Sequence, residues 1–145
     1  MSPINTISVN LHTGNVDGAG TDGDIYVGIC GREFYIDSNS NDFERNASKV
    51  YHLGSGSNIL HASTNDPRKP QVYSEEIDRF PVYIRFNPKN RDDRWNLAYM
   101  DIQINGQLVF QSLQLEREGG IWLGIRSGLF YYPRKHNDLS QPVIK

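Results

Sequence analysis

The stretch "LAYMDIQINGQLVFQSLQL", residues 97–115, constrains this chain more than any other. Two alternating runs flank Asn105-Gly106, and Asn-Gly supplies the two positive-φ residues of a type I′ turn, whose twist matches that of paired antiparallel strands. The same period of two recurs along the chain. Ile7, Val9 and Leu11 alternate with Ser8, Asn10 and His12, and a second strand is expected over about residues 24–30. A tight Gly31-Arg32 turn leads into "EFYI", where Phe34 and Ile36 continue the alternation. The segment "KVYHL" comes after a polar break, and "FPVYIRF" places Val82, Ile84 and Phe86 on one side with Tyr83 and Arg85 on the other. A last strand is expected near residues 121–131. No window sustains a period of 3.6, so short strands separated by Gly, Asn and Asp predict an all-β sandwich or barrel.

A chain of 145 residues, 37% hydrophobic, fits one domain, which at this size buries roughly 70% of its unfolded surface. The net charge of -2 leaves no basic footprint for a phosphate backbone, so nucleic acid is not an expected partner. Pro67-Arg68-Lys69 and Pro133-Arg134-Lys135 read as solvated surface. No segment is long and apolar enough to span a bilayer, and "MSPINTISVNLHT" lacks the basic and apolar regions of a signal peptide. The expectation is a soluble chain, cytoplasmic or peripheral to a membrane. Cys30, the single cysteine, lies in an apolar alternating run and reads as a small hydrophobe. Trp95 and Trp122 read as core. The polar segment over residues 54–79 is too long for an ordinary connection and reads as functional or mobile, with "NILHA" as a short edge strand inside it.

Gly18, Gly20 and Gly23 have the spacing G-x-G-x-x-G. A phosphate cradle of that spacing needs a helix after it, and Gly23 leads instead into the strand pattern "DIYVGIC". Asp17, Asp22 and Asp24 would moreover repel an anion. Catalytic patterns are missing too: there is no G-x-S-x-G elbow, the four histidines form no H-x-x-x-H pair, and Glu75 and Glu76 are adjacent, which on a strand points them to opposite faces. The chain is not expected to be an enzyme.

The order of segments resembles the PLAT (lipoxygenase homology) domain. The resemblance is carried by a first strand ending in "TG", then "GAGTDGDIYVGI", "NDFERNASKVYHL", "DDRWNLAYMDI" and a closing strand near "IWL", and it spans about residues 5–132. It implies an eight-stranded antiparallel β-sandwich of C2-like shape with calcium sites among the loops at one end in some members. Such domains are non-catalytic targeting modules attached to lipoxygenases, lipases and bacterial phospholipase toxins. The chain would then be a single domain, 1–145, with a core at 5–132, an insertion at about 54–79 and a C-terminal tail at 133–145.

Calcium takes six to eight hard oxygens from carboxylates, amides and carbonyls. The first loop offers Asp17, Asp22 and Asp24 with flexible carbonyls at Gly18 and Gly20, and Asp24, at the head of a strand, is assigned to structure. The resemblance adds Asn41 and Glu44 from "NDFER" and Asp92 and Asp93 before Trp95. The implied ligand set is Gly18, Gly20, Asp22, Asn41, Glu44, Asp92 and Asp93. Asx-turns are an alternative use of the same residues, since "GTDGD" is good turn chemistry. Arg94 stands where relatives often carry an acid, which counts against Asp93 as a ligand.

Lipoxygenase relatives carry large aromatics at their calcium-loop tips, whereas the tips here read Asn15-Val16-Asp17-Gly18 and Pro88-Lys89-Asn90-Arg91. The expected membrane or partner surface is therefore Asp17 with the aromatics Phe130, Tyr131 and Tyr132. The expected function is calcium-assisted targeting to an anionic membrane surface or a partner protein, in trans for a lipase, lipoxygenase or toxin. A calcium-stabilised carbohydrate-binding module is the alternative, because eight tyrosines could stack on sugars.

Overall fold

The computed structural model describes residues 2–113 and 115–136. Two antiparallel sheets contain ten strands: β1 (Thr6–Thr13), β2 (Asp24–Ile29), β3 (Arg32–Ile36), β4 (Ser48–Gly54), β5 (Tyr83–Asn87), β6 (Trp95–Ile104), β7 (Gln107–Gln111), β8 (Ile121–Leu123), β9 (Phe130–Tyr131) and β10 (Arg134–Lys135). The larger sheet runs β10-β7-β6-β1-β4, with β8 also on β6, and the smaller runs β3-β2-β5-β9. The alternation predicts a sandwich or a barrel, and the two sheets make it the sandwich that the family resemblance implies.

The alternation works because period two puts every second residue on the inner face. Ile7, Val9 and Leu11 of the larger sheet and Ile25, Val27 and Ile84 of the smaller are all buried in one core. Asn105 and Gly106 have φ of 50° and 83° and join β6 to β7 with Ile104 opposite Gln107, the expected hairpin. Asn105 also accepts the Asn5 and Thr6 amides at 2.8 and 3.2 Å, so the turn is locked to the start of β1.

Four local expectations are corrected. The turn between β2 and β3 is Cys30-Gly31, φ 55° and 77°, one residue earlier than expected, with Ile29 opposite Arg32. The run near 121–131 is two strands on different sheets, because Gly124 and Gly128 close a turn between them: β8 pairs with β6 and β9 with β5. This split, together with β10, raises the count from eight strands to ten among the described residues. "NILHA" forms no strand; Ile59 is buried and a 3-10 turn spans Ala62–Thr64. Trp122 is half-buried rather than core, with the Arg94 guanidinium 4.4 Å above its ring.

Residues 54–79 are packed rather than loose. Asn65 accepts the Tyr35 amide at 2.7 Å and Leu60 donates to the Asp37 carbonyl, so the segment covers the open edge of β3. Arg32 ties it down further through the Asp66 and Pro70 carbonyls at 2.8 and 2.7 Å. Covering an edge removes a template for unwanted pairing. Glu75 and Glu76 lie in a 3-10 segment, Ser74–Arg79, not on a strand. Of the tail at 133–145, Arg134 and Lys135 pair with Gln111 and Phe110 of β7, and residues 137–145 lie outside the described residues.

Candidate functional site

The loops joining β1 to β2, β3 to β4 and β5 to β6 meet at one end of the sandwich, and the core holds them there. Trp95 is fully buried; its indole N–H donates to Thr13 Oγ1 at 2.8 Å, and its ring meets Phe43 edge-on at 5.6 Å. Phe43 has φ 62°, so the backbone turns sharply to bury this ring while its neighbour Glu44 stays outside. Truncating an aromatic of this burial costs about 3–5 kcal/mol.

The three glycines of the first loop have separate tasks. Gly18, φ 74°, makes the turn itself. Gly20 lets the loop press against the next one, since a Cβ there would lie 2.9 Å from the Arg45 amide nitrogen. Gly23 does the same toward the third loop: its Cβ would lie 2.7 Å from the Asn87 carbonyl and 2.8 Å from Asp93 Oδ2. Thr21 then fastens all three. Its amide donates to the Phe43 carbonyl at 3.0 Å, its hydroxyl donates to the Asp93 carboxylate at 2.7 Å, and the same oxygen accepts the Gly23 amide at 2.9 Å. Sequence reasoning missed Thr21; a buried Thr inside an acidic glycine loop was the available signal.

The result is a cleft of about 560 Å³ between the loops. Gly18, Gly20, Asp22, Glu44, Asp92 and Asp93 line it together, along with Arg45 and Lys89. Asn41 does not; it lines a smaller adjoining hollow of about 180 Å³ with Asp22, which borders both spaces, and with Asp24, Asp37 and Asp42. Asp17 points to solvent and pairs with Arg45 at 2.8 Å. Asp93 is committed to the fold by Thr21 and by the Lys89 amide at 2.7 Å. Asn90 makes an Asx-turn with the Asp92 amide at 3.0 Å, so turn chemistry accounts for Asn90 and Asp93. It does not account for Asp22, Glu44 or the Asp92 carboxylate, which accept no hydrogen bond among the described residues. The Gly18 and Gly20 carbonyls likewise accept none from the described backbone.

These are hard oxygens from three segments, the donor type calcium selects. Their chemistry fits the ion, although among the described residues no three carboxylate, imidazole or thiolate groups stand close enough to form a preassembled metal cluster.

The neighbouring hollow is different in kind. Asp42 accepts the Ser38 amide and hydroxyl at 2.8 and 2.7 Å and the Tyr51 hydroxyl at 2.9 Å, and Lys49 lies 3.8 Å away. Burial pushes its carboxyl up, but the bonds from Ser38 and Tyr51 outweigh that and hold it below the usual range. Asp37 beside it is pushed up, first by burial and then by sharing with Asp42. Asp24 accepts the Tyr35 hydroxyl at 2.9 Å, a structural role as expected.

On the outer face of the smaller sheet, Arg85 stacks 4.0 Å over Tyr26 and grips Glu33 through two bonds of 2.9 and 2.7 Å. Tyr83 donates to the same carboxylate at 2.7 Å, and burial with this contact raises its hydroxyl to about 12. Phe130 packs edge-on against Tyr83 and lies parallel to Tyr132 at 6.2 Å, both exposed; Tyr131 is half-buried, its hydroxyl accepting the Leu113 amide. Cys30 is buried and its thiol is raised to about 11 by burial and by Glu76, which makes it unreactive.

No protein-family model matches the sequence. Over 116 residues the chain is 31% identical to a phospholipase C from Clostridium haemolyticum, a match covering 77% of this chain and 26% of that protein. Among solved structures, an alpha toxin from Clostridium absonum superposes over 90% of this chain and 31% of its own with a TM-score of 0.64 and 24% identity. The coral 8R-lipoxygenase, described as calcium-activated via a C2-like domain, covers 88% of this chain and 17% of its own at a TM-score of 0.55 and 17% identity. The chain thus spans about a quarter of the phospholipase C that it matches. Its β-sandwich fold is shared with a part of the alpha toxin and a part of the lipoxygenase.

Proposed function

We propose that this chain is a non-catalytic targeting module that docks on an anionic membrane surface with the help of calcium, on behalf of a lipase, lipoxygenase or toxin partner. The observation that carries the reading is the group of carboxylates at Asp22, Glu44 and Asp92, which come from three loops, face one cleft and accept no hydrogen bond among the described residues. With the Gly18 and Gly20 carbonyls they would hold the ion. Bound there, calcium would supply positive charge that bridges an acidic loop end to anionic headgroups. Likeness to a phospholipase C and to a lipoxygenase with a calcium-activating C2-like domain supports the same direction. On this reading residues 1–145 act as one domain, with 54–79 an insertion that braces the sheet edge. Among the described residues no helix is long and apolar enough to cross a membrane, which suits attachment from outside.

Since the loop tips carry no aromatic wedge, attraction should be mainly electrostatic and screened over about 8 Å at physiological salt. Co-sedimentation with phosphatidylserine vesicles should show binding that rises with calcium, weakens in EDTA and falls with added salt. Tight, salt-insensitive binding to neutral phosphatidylcholine would contradict this and move the contact to Phe130, Tyr131 and Tyr132. A second reading, a calcium-stabilised carbohydrate-binding module, is favoured by the parallel pair Phe130 and Tyr132, 44% and 60% exposed, on which a sugar ring could stack. A glycan array that lights up while vesicles do not would select it.

A further inference from the structure

Several arginines of this chain have an acceptor: Arg45, Arg68 and Arg85 pair with Asp17, Asp66 and Glu33, and Arg32 donates to carbonyls. Arg91, Arg94 and Arg126 have no hydrogen bond or ion pair among the described residues, and these three line one pocket of about 320 Å³. Among the described residues, Asp92 is the single carboxylate in its lining. The pocket is shaped rather than incidental. The Arg94 guanidinium carbon lies 4.4 Å from the centre of the Trp122 ring, and the Gly124–Gly128 turn backs the side chain so closely that a Cβ on Gly124 would lie 3.2 Å from Arg94 Cγ. The same turn presents Ile125, 57% exposed, at the rim.

Three unpaired guanidinium groups against one carboxylate call for an anion, and the planar fork of arginine matches the oxygens of a phosphate. An exposed Ile beside such a site suits an acyl boundary. We infer that Arg91, Arg94 and Arg126 form a calcium-independent site for the phosphate of a phospholipid headgroup, with Ile125 entering the lipid beside it. The lipid source of that phosphate rests on the membrane reading above; the phosphate site itself does not. Because Asp92 borders both this pocket and the acidic cleft, the two sites are coupled through its charge. Neutralising Asp92 favours the anion here and disfavours the cation there.

The test uses the whole chain in EDTA. Inorganic phosphate, followed through the half-exposed Trp122, should give a saturable fluorescence change, and the double variant Arg91→Gln/Arg126→Gln should weaken it at least about tenfold, the loss of a charge-assisted contact. Asp92→Asn should strengthen phosphate binding in EDTA and, in a separate titration without the chelator, weaken calcium binding. Vesicles of phosphatidylcholine with phosphatidylglycerol should retain a fraction of the protein in EDTA; the double variant should lose that fraction, and Ile125→Ser should reduce it without altering the phosphate titration. No fluorescence response to phosphate, or EDTA-resistant vesicle binding unchanged in the double variant, would overturn the site. Phosphate binding without any vesicle binding in EDTA would overturn the lipid assignment. Glu44→Gln, which borders the acidic cleft and not this pocket, should weaken calcium binding while the phosphate titration in EDTA still saturates, so a failure of the calcium reading shows separately.

Discussion

Asp42 and Glu44 stand two residues apart in one loop and end in opposite conditions. Asp42 is turned inward, its oxygens filled by Ser38 and Tyr51, with the Lys49 ammonium 3.8 Å away. Glu44 faces the cleft and accepts nothing among the described residues. Between them Phe43, at φ 62°, is buried against Trp95 and Tyr51 and forces the division. The contrast teaches that an acidic loop is not one thing: carboxylates that the fold satisfies hold it together, and those it leaves unsatisfied are available to a ligand.

The largest effect should come from the satisfied side. Asp42→Ala leaves the Tyr51 hydroxyl and the Ser38 donors without an acceptor in a buried setting, so urea unfolding should show a loss of about 3 kcal/mol. Its carboxyl is held below the ordinary value, so the stability it contributes is present above that ordinary value and is lost as pH falls through the lower, folded value. Wild-type stability should therefore decline on acidification, and the decline should be shallower in Asp42→Ala. An equal loss from Glu44→Ala would erase the distinction.

Thr21→Val should have a smaller effect, about 1–2 kcal/mol, because it removes the hydroxyl bonds to Asp93 and Gly23 while keeping the volume. It sharpens the comparison in a second way. If the free carboxylates depend on the loops being fastened together, this variant should also weaken calcium binding, although Thr21 is not among the expected ligands. A stability loss with unchanged calcium affinity would mean that the three loops need no fastening.

What was legible in the sequence was local. The strands and the Asn105-Gly106 turn could be read because period two and positive-φ residues act over a few positions. The break at Gly124–Gly128 was hidden inside a continuous run of β-formers, since nothing in "IWLGIRSGLFYY" says that the two halves join different sheets. The three loops of the cleft were brought together only by resemblance to a family, and Asn41 lines the adjoining hollow, which shares Asp22 with the cleft, rather than the cleft itself. Thr21 with Asp93, Asp42 with Tyr51, and the meeting of Arg91 with Arg126 are pairings between distant positions. Their physical cause is the stacking of loops at one end of a sandwich, which no local pattern encodes.

The smallest expected change in stability belongs to the free carboxylates, and it frames the decisive measurement. Asp22→Asn and Glu44→Gln should leave unfolding within about 0.5 kcal/mol of wild type in EDTA, as surface substitutions do. At a hundredfold excess of calcium over its dissociation constant, wild type should gain about 2.7 kcal/mol. Calorimetric titration of calcium into the intact chain tests the central claim most directly. The account predicts saturable binding that either substitution weakens severely while the fold persists; no heat of binding to wild type, or identical isotherms in all three proteins, would contradict it.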